Sequence, residues 1–406
     1  MARILFLTQV LPYPLDAGPK MRAYFVLRQL AKSHDVTLVS FVRPEDASES
    51  VSHLASFCQS VHTVPMVRSL ALNVRAVAKA TVSGLPAIIV RDEIRSMQRR
   101  IAYLVRDVGF DAVHADQTSM AQYALYARRV ADPSRRPRIV FDVHNALHRI
   151  YGQMRADEPS LPRRLYLVRE RAALERYERQ LWPQFDGAVF VTAQDRAALG
   201  APPEDRAGLT TIPICAATED RALVTQVPDP KLVLHMGTMF WPPNAQGMLW
   251  FARSVWPRVL EKVPEARLAV IGRHPPEALV ALNADSSIDV LGYVDDPAPY
   301  LAQTAAFIVP LHAGAGMRVK ILDGWSWGLP IVTTSLGAEG IDVTNGADAL
   351  VADDPAAFAD AVIRLLQEPG LRQQLRDGGH NMALTAYNWQ RRYEDWDRVY
   401  SEVLGS

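Results

Sequence analysis

Residues 306–340, AFIVPLHAGAGMRVKILDGWSWGLPIVTTSLGAEG, read as strand, glycine loop, helix, strand, glycine loop. This order constrains the chain more than any other segment. It demands an αβ crossover with a helix start aimed at a bare loop. Gly314 and Gly316 leave backbone amides free to face an anion, with little side-chain bulk around them. A helix over residues 317–327 turns its N-terminal amides and positive dipole end back onto that loop. Lys320 falls in the first helical turn, and Asp323 sits three residues on, along the same face. An anion pocket with a carboxylate one turn behind it suits a nucleotide diphosphate whose ribose hydroxyl meets the acid. The same spacing also suits an ordinary crossover whose glycines only cap the turn, and spacing alone leaves both open.

The rest of the chain repeats the alternation. Residues 4–8, 36–41, 61–65, 112–114, 139–143 and 188–192 read as buried strands, with helices over 22–33, 92–108, 119–130 and 161–181. The long charged helix near 163–179 is expected to project toward solvent. APPEDRAG, TTIPICAATED and QVPDP then break the pattern, as a last strand (209–214) and a linker. A second series follows: strands at 232–236, 267–271, 288–291, 307–311 and 331–334, and helices at 246–263, 298–304, 318–327 and 355–368. Apolar strands alternating with helices predict parallel doubly wound sheets, and two such series predict two αβ domains with a cleft between them. The tail, residues 387–404, reads as one amphipathic helix rich in Trp and Tyr.

Composition narrows the function classes. At 406 residues, with 49% hydrophobic and 22% charged, the chain has material for two buried cores. Its two cysteines, Cys58 and Cys215, make no disulfide framework and show no metal spacing. No apolar run is long enough to span a membrane, and the N-terminus reads as a first strand, so a cytoplasmic protein is expected. Net charge is zero, but residues 1–215 carry 29 Lys+Arg against 21 Asp+Glu, and residues 216–406 carry 15 against 23. Either two domains attract each other, or the basic half meets an anionic surface such as the inner face of a membrane. The basic clusters Arg128/Arg129, Arg135/Arg136/Arg138 and Arg163/Arg164 lack interleaved aromatics, which argues against nucleic acid.

Candidate chemistry lies after the strands. LPYPLDAGPKMR makes a shaped loop with Asp16 and Gly18, and the helix after it carries Lys20 and Arg22 in its first turns. IVFDVHNALHR sets Asp142, His144 and Asn145 at a strand end, and DAVHADQ does the same for His114. A histidine there either handles a proton or donates to a sugar or phosphate oxygen, or it is a satisfied structural residue. Gly237 and Thr238 follow the first strand of the second series, Arg273 follows another, and Tyr293 with Val294 follows a third, where a nucleobase could pack. Each of these also fits a plain turn.

Taken together, PYPLDAGPKMR, FDVHNA, VFVTAQDRAAL, HMGTMFWPPNAQGMLWFA, AVIGRHPP, DVLGYVDD and AGAGMRVKILDGWSWGLPIVTTSLGAEGI resemble the retaining, nucleotide-sugar-dependent glycosyltransferases of family 4, also called group 1. NWQRRYEDWDRVY resembles the C-terminal helix of that family, which crosses back onto the first domain. The resemblance implies the GT-B fold: an acceptor-side Rossmann-like domain over 1–215, a nucleotide-sugar-binding one over 216–385, and the returning helix over 386–406. It implies that His144 is the active-site histidine contacting the donor sugar. Gly18, Gly237, Thr238, Arg273, Tyr293, Val294, Gly314, Ala315, Gly316, Met317, Lys320 and Asp323 fall on the donor side, and Lys20, Arg22, His114 and Asn145 on the acceptor side. Ala315 stands where the first acid of the family's E-x7-E motif belongs, and Asp323 replaces the second. The expected activity is transfer of a hexose-type sugar from a nucleoside diphosphate to a hydroxyl of a glycan or lipid-linked acceptor, in cell-surface or exopolysaccharide synthesis. No metal and no further cofactor are expected. A nucleotide-sugar 2-epimerase of the same fold and a non-catalytic sugar-nucleotide binding protein are the alternatives.

Overall fold

The computed structural model describes residues 1–405 except Asp16, Glu45, Asp157, Pro159, Asp220, Arg221 and Ala315. It divides into two units, Met1–Ile214 with Gln390–Ser406, and Cys215–Trp389.

In the first unit seven strands form one parallel sheet: β1 (Arg3–Thr8), β2 (Asp35–Val42), β3 (Ser60–Pro65), β4 (Ala112–Asp116), β5 (Arg138–Val143), β6 (Gly187–Phe190) and β7 (Leu209–Thr211), in the order β3-β2-β1-β4-β5-β6-β7. All five residues of β4 are buried, as a sheet covered by helices on both faces requires. Chain direction across the sheet reverses between β1 and β4, so the crevice of a doubly wound sheet opens beyond their carboxyl ends.

Helices Ser48–Ala55, Leu70–Ser83, Ala87–Arg91 and Leu147–Ala156 add to those expected. Leu70–Ser83 carries little helical signal because it buries only Ala76 and Ala80, and its larger apolar residues face several directions. Ser69 caps its start by accepting from the Leu72 amide, and Gly84, at φ 70°, ends it. The helix Leu161–Leu181 does not project into solvent: Leu167, Ala173, Leu174 and Leu181 are buried along it, with Glu170 and Glu178. Both glutamates serve helix starts. Glu170 accepts from the Ala87 and Ile88 amides, and Glu178 from those of Leu147 and His148. A carboxylate at the positive end of a helix keeps its hydrogen bonds, which makes its burial tolerable.

The second unit is a six-stranded parallel sheet of β8 (Leu232–Met236), β9 (Arg267–Ile271), β10 (Ile288–Gly292), β11 (Thr304–Val309), β12 (Ile331–Thr333) and β13 (Leu350–Val351), ordered β10-β9-β8-β11-β12-β13. Its switch point lies between β8 and β11. One helical run covers Pro242–Lys262, starting four residues before the expected 246, with a π-helical stretch at Phe251–Val255. Pro257 supplies the reason: it has no N–H for the carbonyl one turn back and its ring crowds that carbonyl.

The tail is not one helix. Trp389–Arg392 and Asp395–Leu404 are separate. The chain leaves the second unit only at Trp389, because the Tyr387 carbonyl accepts from Ala216, the Tyr387 hydroxyl accepts from Asp342, and Trp389 donates to Glu219. The last helix then packs on the first unit with Trp396 and Tyr400 fully buried, Gln29 donating to Asp397 and Gly208 to Glu402.

Candidate functional site

In the first unit β4 ends in Asp116 and β5 carries Asp142 one residue before its end, and their register sets the two opposite each other. Two carboxylates this close demand positive charge. His144, just past β5, places Nε2 2.8 Å from Asp116 Oδ1 and 3.5 Å from Asp142 Oδ2. Arg22 reaches Asp142 from the first helix with contacts of 2.6 and 2.8 Å. Burial alone would lower the His144 pKa, but Asp116 and then Asp142 outweigh it and hold it at about 9, so the imidazole is protonated at neutral pH. Burial would raise Asp142, yet Arg22 and His144 keep it well below the usual carboxylate range. Asp116, Asp142 and His144 are residue types that hold a metal ion, and their ligand atoms lie within 4.8 Å of one another. Their charges are already balanced by the guanidinium and the imidazolium. A metal would therefore have to displace an existing ion pair.

His144 and Asn145 line a small polar cavity with Gln9, Gln117, Thr118 and Ser119. Gln117 takes φ 71° without being glycine, with its amide bonded to the Asp142 carbonyl. Backbone held in the left-handed region is a cost that a packed site sustains.

Two residues expected on the acceptor side lie in the interior instead. The Arg22 guanidinium is fully buried, bonded to Asp142 and to the Ile212 and Pro213 carbonyls, and lies 5.6 Å from the centre of the Trp396 ring. His114 is fully buried, stacked on Phe6 at 4.1 Å and bonded through Nδ1 to Tyr400 at 3.0 Å. Burial lowers its pKa to about 3, against the pull of Asp142, so it is neutral. Both positions follow from the returning C-terminal helix, which covers that side of the sheet. Gly18 opens the first helix, and Lys20 stands half-buried in its first turn.

In the second unit the candidate residues gather at the carboxyl ends of β8, β9, β10 and β11. Lys320, on the helix Val319–Ser326 after β11, donates from Nζ to Asn244 Oδ1 at 2.8 Å. Asn244 lies on the helix after β8, so this bond spans the switch point. A Cβ on Gly237 would stand 2.7 Å from Lys320 Nζ, 3.2 Å from Asn244 Nδ2 and 3.4 Å from His235 Nε2. The bare glycine therefore keeps a small polar cradle open. His235 Nδ1 meets the Ile308 carbonyl at 2.8 Å, which fixes the proton on Nδ1 and leaves Nε2 as an acceptor toward the cradle. Burial, with the charge of Lys320, lowers the His235 pKa well below its ordinary value. Burial likewise brings Lys320 down to about 7, with Arg318 adding to the effect and Asp323 opposing it.

Gly314 and Gly316 take φ 129° and 76°, conformations that L side chains rarely adopt. Arg318, buried, donates to the Gly316 carbonyl and braces the loop. Among the described residues no side chain caps the helix behind it. The helix starts at Val319 rather than 317, so Met317 belongs to the loop. Ala315 lies outside the described residues. Asp323 is partly buried on the same helix as Lys320. Beyond β9 and β10 the Arg273 guanidinium lies 4.2 Å over the exposed Tyr293 ring, beside the partly buried Val294. His274, at φ 56°, shares that loop, and Thr238 accepts from Asn244 through its carbonyl.

The sequence reading missed Asp116, His235 and Asn244. Asp116 had a signal, since DAVHAD and IVFD put the same residue at or next to the end of two successive strands. His235 had the same strand-end placement as His114, in LVLHMG, whereas Asn244 had no signal, because only packing brings it to Lys320.

Comparison with known proteins agrees with this geometry. Residues 230–368 match the family described as glycosyl transferases group 1. A Klebsiella pneumoniae protein named only as an uncharacterised 44.6 kDa protein in the cps region is 22% identical over 100% of this chain and 99% of its own length. The D-inositol 3-phosphate glycosyltransferase of Frankia alni is 30% identical over 43% of this chain and 46% of that protein. Among solved structures, sucrose-phosphate synthase from Thermosynechococcus elongatus superposes with a TM-score of 0.71 at 13% identity, over 99% of both chains. Anabaena HepE, in complex with UDP and glucose, gives 0.68 at 12% identity, over 99% of this chain and 100% of its own. Residues 230–368, within the second unit, are thus similar to group 1 glycosyltransferases, and both units are the doubly wound sheets of the GT-B fold.

Proposed function

We propose that this chain is a retaining transferase that moves a sugar from a nucleoside diphosphate to a hydroxyl of a glycan or lipid-linked acceptor. The observation that carries the reading is the Lys320–Asn244 bond across the β8/β11 switch point, beside the bare Gly237. A diphosphate there meets an ammonium, a glycine loop that leaves its backbone accessible, and an uncapped helix start whose dipole favours anions. Asp323 is assigned the ribose, Arg273 with Tyr293 and Val294 the base, and Gly18 with Lys20 and Asn145 the sugar or acceptor side. HepE, which shares the fold, holds UDP-glucose in one of its structures, and this supports a nucleotide-sugar donor. The relative from a cps region supports a place in polysaccharide synthesis.

In the reaction the anomeric C–O bond to the phosphate breaks and a bond to the acceptor oxygen forms on the same face. The acceptor hydroxyl proton passes to the departing phosphate oxygen. His144 stabilises charge as an imidazolium and does not attack. No metal takes part in this scheme, because the ammonium and the helix start supply the positive charge the leaving group needs. A peripheral contact with the membrane would bring a lipid-linked acceptor within reach. Among the described residues no helix is long and apolar enough to cross a membrane.

A thermal-shift panel of UDP, GDP, ADP and TDP with their sugar conjugates, each with and without chelator, tests the reading. A rise with one nucleotide, unchanged by chelator, is expected. No rise with any of them refutes the diphosphate pocket, and a rise that chelator abolishes refutes the metal-free scheme.

A further inference from the structure

In the second unit, segment 223–230 leads into β8 from its amino end. The Val227 amide donates to the Ala302 carbonyl, and the Gln226 side chain donates to that of Thr304, the first residue of β11. With the helix Pro369–Leu384 this segment walls a cavity of about 430 Å3. The cavity lies at the amino ends of β8 and β11, whereas Gly237 and Lys320 follow the carboxyl ends of the same two strands. It is a site apart from the cradle beside Lys320. Leu223, Val227 and Pro228 make part of its wall apolar, and Arg372 and Arg376, one turn apart on the helix, bring guanidinium charge to the rest.

Arg372 is only 5% exposed, and its Nη1 donates to the Leu365 and Leu366 carbonyls at 2.7 and 3.3 Å. Arg376, half-buried, donates from Nη2 to the Val224 carbonyl at 3.0 Å. These bonds fix both side chains and bring no negative charge. Neither arginine has an ion-pair partner among the described residues, whereas the similarly buried Arg22 and Arg196 pair with Asp142 and Asp205. The acids nearby in sequence are engaged elsewhere: Asp229 with Lys231, Glu368 with Arg364, and Asp377 as acceptor from Gln373. Burial pulls both guanidinium pKa values below their ordinary range, and the more distant charges of Asp229 and Asp377 oppose this only in part. Two desolvated like charges one turn apart are a cost that an anion between them removes. The helix behind them starts without a side-chain cap among the described residues, so its positive end adds to the same field.

We propose that this cavity is a second anion site, which binds a phosphate group between Arg372 and Arg376. Guanidiniums meet phosphate oxygens through paired N–H donors, and the N–H groups not spent on carbonyls are there to supply them. The apolar wall gives room for a small organic body carrying that phosphate. Because the site lies at the opposite end of the sheet from the diphosphate cradle, this inference and the transferase reading fail separately.

The test is calorimetric titration of the full chain with inorganic phosphate and with phenyl phosphate, at an ionic strength held constant with sodium chloride. Binding is expected. Tighter binding of phenyl phosphate assigns the site to organic phosphates, and equal or tighter binding of inorganic phosphate assigns it to the free ion. Arg376→Gln should weaken binding by about tenfold. Gln373→Glu, at an exposed position, supplies the missing carboxylate beside both arginines and should abolish binding with the melting temperature unchanged. Lys320→Met should leave binding intact. Three results overturn the proposal. They are no binding of either phosphate, binding that Arg376→Gln and Gln373→Glu both leave unchanged, and binding that Lys320→Met removes, since the anion would then sit in the diphosphate cradle.

Discussion

Replacing Asp116 by Asn removes one of the two carboxylates that hold the His144 proton and leaves the side chain's shape in place. The Asp116 oxygen is 2.8 Å from His144 Nε2, nearer than that of Asp142 at 3.5 Å. Burial works against the imidazolium, and the carboxylates still bring the His144 pKa up from 6.5 to about 9. The net support is therefore ~3 kcal/mol, at about 1.4 kcal/mol per unit, and the nearer carboxylate provides more of it. With that carboxylate gone and the burial unchanged, the pKa should fall to about 6.5 or below. At about pH 8 the imidazolium fraction then drops by roughly thirtyfold. The sign is that of a raised base: its contribution to stability is complete below 6.5 and is lost as pH rises through about 9. Two measurements check the chain of reasoning, an NMR titration of the histidine resonances and kcat/KM against pH, each on wild type and Asp116→Asn. Transfer by the variant should fall by roughly thirtyfold at about pH 8 and recover most of that at about pH 6. A wild-type His144 that titrates near 6.5, or one whose titration is unmoved in the variant, would refute the argument. A loss that acid does not recover would reduce Asp116 to a structural part.

Arg22→Met keeps volume but strands the Asp142 carboxylate in the interior. A loss of ~3–5 kcal/mol is expected in denaturant melts, and one below about 1 kcal/mol would mean that Asp142 finds another partner. Gly237→Ala should barely change the melting temperature, since its new Cβ meets the flexible end of Lys320, 2.7 Å away. Nucleoside diphosphate affinity should nonetheless fall by ~1–3 kcal/mol as the ammonium is pushed aside, and calorimetry showing full affinity would move the phosphate site elsewhere. Lys320, brought from 10.5 down to about 7, is largely neutral at about pH 8 and should take up a proton when a diphosphate binds. Titration calorimetry in buffers of different ionisation enthalpy should reveal that uptake in the wild type and not in Lys320→Met, and buffer-independent heats in the wild type would contradict it.

The sequence by itself determined the class of fold and the ends of the sheets where chemistry gathers. Alternating apolar runs and helical patterns leave little besides parallel, doubly wound sheets, because strands buried on both faces must be continuously apolar. In such sheets functional groups sit past the carboxyl ends, so His144, Gly237, Lys320 and Arg273 could be singled out from their places after strands. The glycines of the AGAG loop were legible for the same reason, since a strand, a short loop with two glycines and then a helix leave few backbone choices.

Only the tertiary structure decided which of those groups lie in the interior behind the returning helix. Arg22 and His114 carry the same sequence signal as Lys20 and His144, yet the returning C-terminal helix closes over them and turns them into interior ion-pair and stacking partners. Asp116 gained its importance from strand register, His235 from the pairing of β8 with β11, and Asn244 from helices packed across the switch point. Helix Leu70–Ser83 escaped notice because a helix seated by two alanines has no core-facing periodicity to read. Local pattern follows from neighbours along the chain, whereas protonation, burial and pairing depend on residues far apart in sequence, as with Asp116 and His144 or Asn244 and Lys320.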